Sequence, residues 1–216
     1  MLTNMGFLAN SALTIGVSGV GTLAYGLVEA QAFTTRRIDL AVLPVGSESI
    51  RVLHISDLHI TPAQTRKINW VKSLAKLEPD FVVGTGDFLA HTLAVPAVVE
   101  AMDELMDIPG AFVLGSNDYF APTLKNPLQY FNKYRAINAG GEALPTSELI
   151  EQLTDAGWLD LNNKQSVVTI NGVKIHARGT DDPHIMKDNY AAVAGAFAND
   201  SFALGITHAP YRRVLE

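Results

Sequence analysis

RVLHISDLHI, residues 51–60, is a short run of aliphatic and β-branched residues that closes on Asp57 and His59. Three further runs have the same form and also close on polar residues: FVVGTGD at 81–87, AFVLGSND at 111–118 and FALGITHAP at 202–210. Short apolar runs of this composition favour strands. We therefore predict strands over Arg51–Ser56, Phe81–Thr85, Ala111–Leu114 and Phe202–Thr207.

Helix-like stretches lie between the first three strands, over Thr65–Leu77 and Val95–Met106. Strands that alternate with helices of this length indicate βαβ units and a mainly parallel α/β sheet covered by helices. Ser147–Ala156 is predicted as a further helix, with Ser147 as its cap and Gly157 at its end.

Asn171-Gly172 separates two short β-rich runs, Val167–Ile170 and Val173–Ala177. Asn-Gly favours the type I′ turn, because both central residues of that turn need a positive φ angle. The sequence therefore predicts a β-hairpin here.

The composition suits one sizeable α/β domain in a chain of 216 residues. Hydrophobic residues make up 48% and charged residues 18%, which excludes an intrinsically disordered protein. The net charge is −6, so we expect no nucleic acid among the partners. Cysteine is absent, which excludes disulfide scaffolds, thiolate zinc sites and cysteine nucleophiles.

The N-terminal segment carries no Asp, Glu, Lys or Arg before Glu29, and its apolar part, Gly6–Val28, has 23 residues. A membrane span needs about 20 residues, so our first interpretation is a retained membrane anchor. A cleaved signal peptide, with Ala30-Gln31-Ala32 as its cleavage site, and a Gly-rich packing helix are the alternatives. We predict an anchor or signal-like segment over 1–33, a connection over 34–50 and the main domain over 51–216. The protein would then be membrane-associated through a single N-terminal span, on a side of the membrane that the sequence leaves open.

Side chains that can bind a metal follow the carboxyl ends of the predicted strands. Asp57, Asp87 and Asn117 are spaced 30 residues apart, which fits one strand-helix-strand unit each, while His59 and His208 follow the first and last strands. In open α/β sheets the ligand site lies beyond the carboxyl ends of the strands. Each motif alone is also typical of a turn or a helix cap, but together they predict one site. Carboxylate, imidazole and amide donors suit Mn, Fe or Zn.

These motifs, DLH at 57–59, GD at 86–87, GSND at 115–118 and THAP at 207–210, resemble the metal-binding motifs of calcineurin-like metallophosphoesterases. The resemblance runs from about residue 51 to the end, and it implies a four-layer α/β/β/α sandwich with two divalent metal ions at one sheet edge. Asp57 and His59 would bind the first ion, Asp87 would bridge both, and Asn117 and His208 would bind the second. The apolar N-terminus is also similar to that of membrane-associated members, including relatives of UDP-2,3-diacylglucosamine pyrophosphatases.

The resemblance implies a hydrolase that cleaves a phosphodiester or pyrophosphate through metal-bound hydroxide. The expected substrate is a phosphoester, lipid-linked or a nucleotide-sugar, and the membrane is the other expected partner. The alternative is a catalytically impaired, membrane-attached binding module that retains the phosphoesterase fold. A dinucleotide-binding domain and a serine hydrolase are disfavoured, because no Gly-rich phosphate loop follows the first strand and no Gly-x-Ser-x-Gly motif occurs.

The third motif departs from the family pattern of Gly-Asn-His followed by an acid. An ungapped alignment places Ser116 at the ligand position and Asn117 at that of the histidine, but we expect Asn117 to reach the metal, because its amide carbonyl is the better ligand. Asn117 and Asp118 are the predicted catalytic residues of this motif. The proton-donating histidine is missing, which favours phosphate-type or aryloxide leaving groups. His184, in GTDDPH at 179–184, is an alternative acid.

The final family motif, Gly-His-x-His, is not found in the eight residues that follow His208. We therefore expect this chain to be an incomplete copy whose sandwich is partial at the C-terminus. We also expect it to bind metal weakly and to be weakly active or inactive by itself.

Overall fold

A computed structural model of the chain describes residues 18–123, 141–197 and 200–215. The chain divides into two compact units, Met1–Leu40 and Ala41–Glu216. In the first unit, residues 18–29 are helical (α1) and exposed. Most of the predicted anchor, Gly6–Val28, lies outside the described residues, and none of the helices within the described ranges has the length and hydropathy that a membrane crossing requires. The predicted boundaries at residues 33 and 50 stay predictions.

The first sheet of the second unit is parallel and has four strands in the order β1-β2-β3-β4. The strands are β1 (Val52–Ile55), β2 (Phe81–Thr85), β3 (Gly110–Val113) and β4 (Leu159–Asp160). The helices among and after them are α2 (Thr65–Ser73), which continues as a 3-10 turn over Leu74–Leu77, α3 (Val95–Met106), α4 (Ser116–Tyr119) and α5 (Thr146–Asp155). The predicted parallel α/β arrangement is confirmed.

The second sheet has three strands, β5 (Lys164–Ile170), β6 (Val173–Gly179) and β7 (Phe202–Ile206), in that order. β5 and β6 form the predicted hairpin, and Asn171 and Gly172 have φ angles of 47° and 76°, as a type I′ turn requires. β7 pairs parallel with β6. A short helix, α6 (Arg212–Leu215), follows β7.

Two hydrophobic cores hold three layers together. Val82 and Phe112 belong to the core that the first sheet shares with α2, α3 and α5. Phe81 and Val83, on the opposite face of β2, pack in a second core with residues of β6 such as Ile175. β2 is buried along its whole length, because adjacent residues of a strand face opposite layers. Helices, first sheet and second sheet are therefore stacked as in an α/β/β/α sandwich.

Several predicted boundaries need correction. β3 begins and ends one residue earlier than predicted, because the Leu114 N–H donates to Asn162 Oδ1 (2.8 Å) and not to the neighbouring strand. α5 begins at Thr146, so Ser147 lies inside it and does not cap it. Gly157 follows the end of α5 with a φ of 89°, as predicted for a helix terminator. The short elements α4 and β4 were not predicted.

Candidate metal centre

The loops after β1 and β2 run side by side and carry the first three predicted ligands. The Asp57 N–H donates to Gly86 O (3.0 Å), and the His59 N–H donates to Asp87 O (2.8 Å). Asp57, His59 and Asp87 have φ angles of 54°, 43° and 57°, in the left-handed region that L-residues adopt rarely. Such strained positions persist where the surrounding bonds fix them, and they are concentrated at functional sites.

Two short distances meet at Asp87, which is 4% exposed, and a third joins His59 to Asp57. His59 Nε2 lies 3.5 Å from Asp87 Oδ2 and 3.8 Å from Asp57 Oδ1, and His208 Nε2 lies 3.7 Å from Asp87 Oδ2. Two donors that each sit about 2.1 Å from one tetrahedral ion are about 3.4 Å apart. The separations around Asp87 are close to that value, so the residues present fit a divalent metal.

His208 is oriented by the backbone of the first sheet. Its Nδ1 donates to Thr85 O (2.7 Å), which leaves Nε2 as the atom that faces Asp87. Burial lowers the pKa of His208, but the Thr85 carbonyl and the carboxylates of Asp87, Asp182 and Asp57 outweigh burial, and the net pKa is raised. A cation that binds Nε2 must therefore compete with a proton there.

The third motif packs directly against Asp87. A Cβ at Gly115 would lie 2.2 Å from Asp87 Oδ1 and 2.8 Å from His208 Cε1, so only glycine leaves room for both side chains. Asn117 donates to Asp87 twice, from its backbone N–H to Oδ1 and from Nδ2 to Oδ2, both at 2.8 Å. Binding of a metal through the Asn117 oxygen therefore requires its amide to turn over.

Asp118 lies behind the cluster and is fully buried. Its Oδ2 accepts hydrogen bonds from the N–H groups of Asp87 (2.8 Å) and Gly115 (2.9 Å), and its Oδ1 from those of Phe88 (2.8 Å) and Leu89 (3.1 Å). Burial raises the pKa of Asp118 to about 7, although these N–H groups act against the rise. Asp118 thus positions the loop that carries Asp87, and its predicted catalytic role stays a prediction.

A second group of donors combines His208 with two residues of the loop after β6. Carboxylate and imidazole atoms of Asp182, His184 and His208 lie within 4.8 Å of one another, as do those of Asp57, His59 and Asp87. The His184 N–H donates to Asp182 Oδ1 (2.8 Å), and His184 Nδ1 lies 3.1 Å from the same oxygen. Asp182 was missed by the sequence patterns, although it follows a strand end as the other candidates do.

Two hydrogen bonds connect the loop after β6 to the end of the third motif and hold that loop in place. Tyr119, directly after Asp118, donates its hydroxyl to both oxygens of Asp181 (2.8 and 2.9 Å). Burial raises the pKa of Asp181, and burial together with Asp181 raises that of Tyr119. A cleft of about 530 Å³ opens beside the donors, lined by Asp57, His184, His208, Ala209, Pro210 and Tyr211.

The model of one protein family, the calcineurin-like phosphoesterases (Metallophos), matches residues 50–213 of this chain. The chain belongs to the calcineurin-like phosphoesterase family. The match covers all the strands and every predicted site residue, from Asp57 to His208.

Two solved structures resemble the chain at low similarity. Phosphopantetheinyl hydrolase (PptH) of Mycobacterium tuberculosis is 21% identical, with a TM-score of 0.37, over 76% of this chain and 58% of that one. The protein TT1561 of Thermus thermophilus is 13% identical, with a TM-score of 0.35, over 74% of this chain and 57% of that one. The chain therefore spans less than two thirds of the length of these structures. No curated protein matches the chain.

In this calcineurin-like phosphoesterase, the structure brings together Asp57, His59, Asp87, Asn117 and His208, the five residues predicted as metal ligands. His184, the alternative acid, stands beside His208, with their ring centroids 5.5 Å apart. The donors suit a metal ion, and the ligand assignment itself stays a prediction.

Proposed function

We propose that this chain carries the catalytic domain of a membrane-associated metal-dependent phosphoesterase that hydrolyses a phosphodiester or a pyrophosphate. The observation that carries the proposal is the arrangement around Asp87, which has the imidazoles of His59 and His208 at 3.5 and 3.7 Å from a single carboxylate oxygen. A carboxylate between two imidazole donors is suited to bridge two cations. The family match supports the same reaction class.

Each side chain has a definite task in this proposal. Asp57 and His59 would hold one cation, His208 and Asn117 would hold the other, and Asp87 would be a ligand of both. When bound, two divalent cations neutralise the phosphoester oxygens and lower the pKa of a water molecule for in-line attack. The cleft beside Asp57 and His208 gives the substrate a path to these donors.

The substrate is proposed from the chemistry of the leaving group and from the N-terminal sequence. The family's proton-donating histidine is missing from GSND at 115–118, and an amide cannot protonate an alkoxide. Phosphate-type and aryloxide leaving groups need less protonation, so we propose a pyrophosphate or an activated diester. The apolar residues 6–28 favour a substrate at the membrane, lipid-linked or a nucleotide-sugar.

Turnover of bis(p-nitrophenyl) phosphate with added Mn²⁺ tests the reaction. We expect the whole chain to release nitrophenol slowly, in keeping with the weak activity expected from its sequence. Asp87→Asn should lose at least about 100-fold in kcat/KM, because removal of a charge-stabilising group typically costs that much. Asp103→Asn is the matched control, since Asp103 is an exposed carboxylate on α3.

Equal rates for Asp87→Asn and the control would contradict the proposed mechanism. A folded chain that binds Mn²⁺ without any turnover would favour the alternative, a non-catalytic module that keeps the fold.

A further inference from the structure

We propose that Asp182 and His184 are ligands of the cation at His208, in addition to Asp87 and Asn117. The inference rests on the proposed function, because that function is the reason to expect a cation at His208. It assigns a metal-binding role to the loop after β6, which carries none of the predicted metal ligands.

The geometry places three donors around one point. Asp182, His184 and His208 each offer a ligand atom, and these atoms lie within 4.8 Å of one another. The rings of His184 and His208 are 5.5 Å apart between centroids, with an interplanar angle of 61°. Two imidazoles inclined in this way can direct one nitrogen each at a shared ion, because the metal lies in the plane of each ring about 2.1 Å from its nitrogen.

Asp182 provides an independent indication of a ligand. It is fully buried, and its Oδ2 has no hydrogen-bond partner within the part of the chain that the structure describes. Asp182 Oδ1, in contrast, accepts from the His184 backbone N–H. A buried carboxylate oxygen without a partner is costly, and it is normally paired or bound to a metal. A cation bound through Oδ2 would satisfy that oxygen.

The surroundings of His184 also favour a ligand over a free acid. His184 lines the same cleft as Asp57 and His208, so a cation that enters by this cleft meets it. Tyr211 packs edge-on against the His184 ring, at 5.3 Å between centroids, and Asp182 lies on its Nδ1 side at 3.1 Å. A neighbouring carboxylate and a packed ring fix the orientation of a metal-binding histidine.

Histidine side-chain NMR of the unmodified chain tests the assignment without any variant. On titration with Zn²⁺, the ring ¹⁵N signals of both His184 and His208 should shift at the same equivalents of metal. His176, whose Nε2 bonds to Gln165 on the outer face of the second sheet, should not shift. Shifts at His59 and His208 without one at His184, or no Zn²⁺ binding at all, would overturn the proposal.

Variants then separate a ligand from an acid. If His184 and Asp182 are ligands, His184→Ala and Asp182→Asn should each weaken Zn²⁺ binding at His208 about tenfold or more. His91→Ala is the control, because His91 is an exposed loop histidine. An unchanged Zn²⁺ affinity in His184→Ala, with a greater loss on alkyl than on nitrophenyl esters, would identify an acid and overturn the ligand assignment.

These readouts are distinct from the test of the proposed function. The Asp87→Asn comparison measures hydrolysis, whereas the NMR shifts and Zn²⁺ affinities measure binding. If Asp87→Asn abolishes hydrolysis but the ring ¹⁵N signals of His184 do not shift with Zn²⁺, this inference is refuted and the proposed function is not.

Discussion

Asp118 fixes the position of Asp87 although it lies outside the donor cluster. It accepts four backbone hydrogen bonds, from Gly115 and from three consecutive residues beginning with Asp87. Three of these bonds cross 29 to 31 residues of sequence, so they join the second motif to the third. The spacing of the site therefore depends on a side chain that lies behind the donors.

Replacement of Asp118 by alanine should destabilise the fold and weaken metal binding together. The substitution leaves buried N–H groups without acceptors, and each unsatisfied group costs about 1–3 kcal/mol. Allowing for relaxation and water entry, we expect the free energy of unfolding to fall by about 2–4 kcal/mol. Urea denaturation measures this, and Mn²⁺ titration measures the accompanying loss of affinity.

The control for Asp118→Ala is Asp103→Ala, an exposed carboxylate on α3 whose loss should change stability by less than about 0.5 kcal/mol. If both variants unfold at the same urea concentration, the buried network does not stabilise the loop as argued.

The residue types of the site could be predicted because the motifs are local in sequence. Asp57, Asp87 and Asn117 each follow an apolar run, which is visible without a structure. The structural role of Asp118 could not be predicted, because the backbone N–H groups that it binds become neighbours only when β2 and β3 pair. Asp182 was missed for a similar reason, because its relation to His208 depends on β6 lying beside β7.

At the scale of the elements, the loop after β2 is packed tightly against the third motif. Gly86 has a φ of 90°, and a Cβ there would lie 2.3 Å from Gly115 N and 2.6 Å from Leu114 C. The second and third motifs therefore touch backbone to backbone. That contact brings Asp87 within reach of Asn117 and His208.

Gly86→Ala should separate the two motifs, and Gly157→Ala provides a matched comparison. Gly157 has nearly the same φ, 89°, but a Cβ there meets nothing within 4 Å. Both substitutions carry the penalty of a left-handed L-residue, about 1–2 kcal/mol. Only Gly86→Ala adds a collision with backbone, so it should lose at least about 1–3 kcal/mol more, the usual cost of overpacking.

Chemical denaturation of the two glycine variants gives the difference directly, and Mn²⁺ binding should be weakened in Gly86→Ala alone. Similar stabilities for the pair would mean that the backbone contact between the motifs is easily relaxed and does not hold the site together.

The element boundaries show which features local sequence patterns can predict and which they cannot. The hairpin of β5 and β6 was predicted from Asn171-Gly172, because that dipeptide has a strong local conformational preference. The start of α5 was misplaced because Thr146 Oγ1 donates to Asp118 O (2.6 Å), a tertiary contact that local capping rules do not include. β4 pairs over only two residues, which is too short to give a sequence pattern.

At the scale of the whole domain, the donors come from both sheets. Asp57 and Asp87 follow strands of the first sheet, whereas His208 and Asp182 follow strands of the second. Residue patterns alone indicated one parallel sheet, and the facing second sheet was expected only from the family resemblance. The packing of Phe81 and Val83 against Ile175 brings the two edges together.

A site built across two sheets should couple metal binding to the stability of the domain. A ligand that binds only the folded state stabilises it by RT ln(1 + [L]/Kd), or about 2.7 kcal/mol at about 100 times Kd. We expect Mn²⁺ at that concentration to raise the free energy of unfolding of the whole chain by about this amount and EDTA to abolish the increase, as measured by urea denaturation. His208→Ala should lose much of the increase, because it removes the donor of the second sheet that faces Asp87 at 3.7 Å. His91→Ala should keep it, and an equal Mn²⁺ effect in both variants would mean that the cation does not join the sheets.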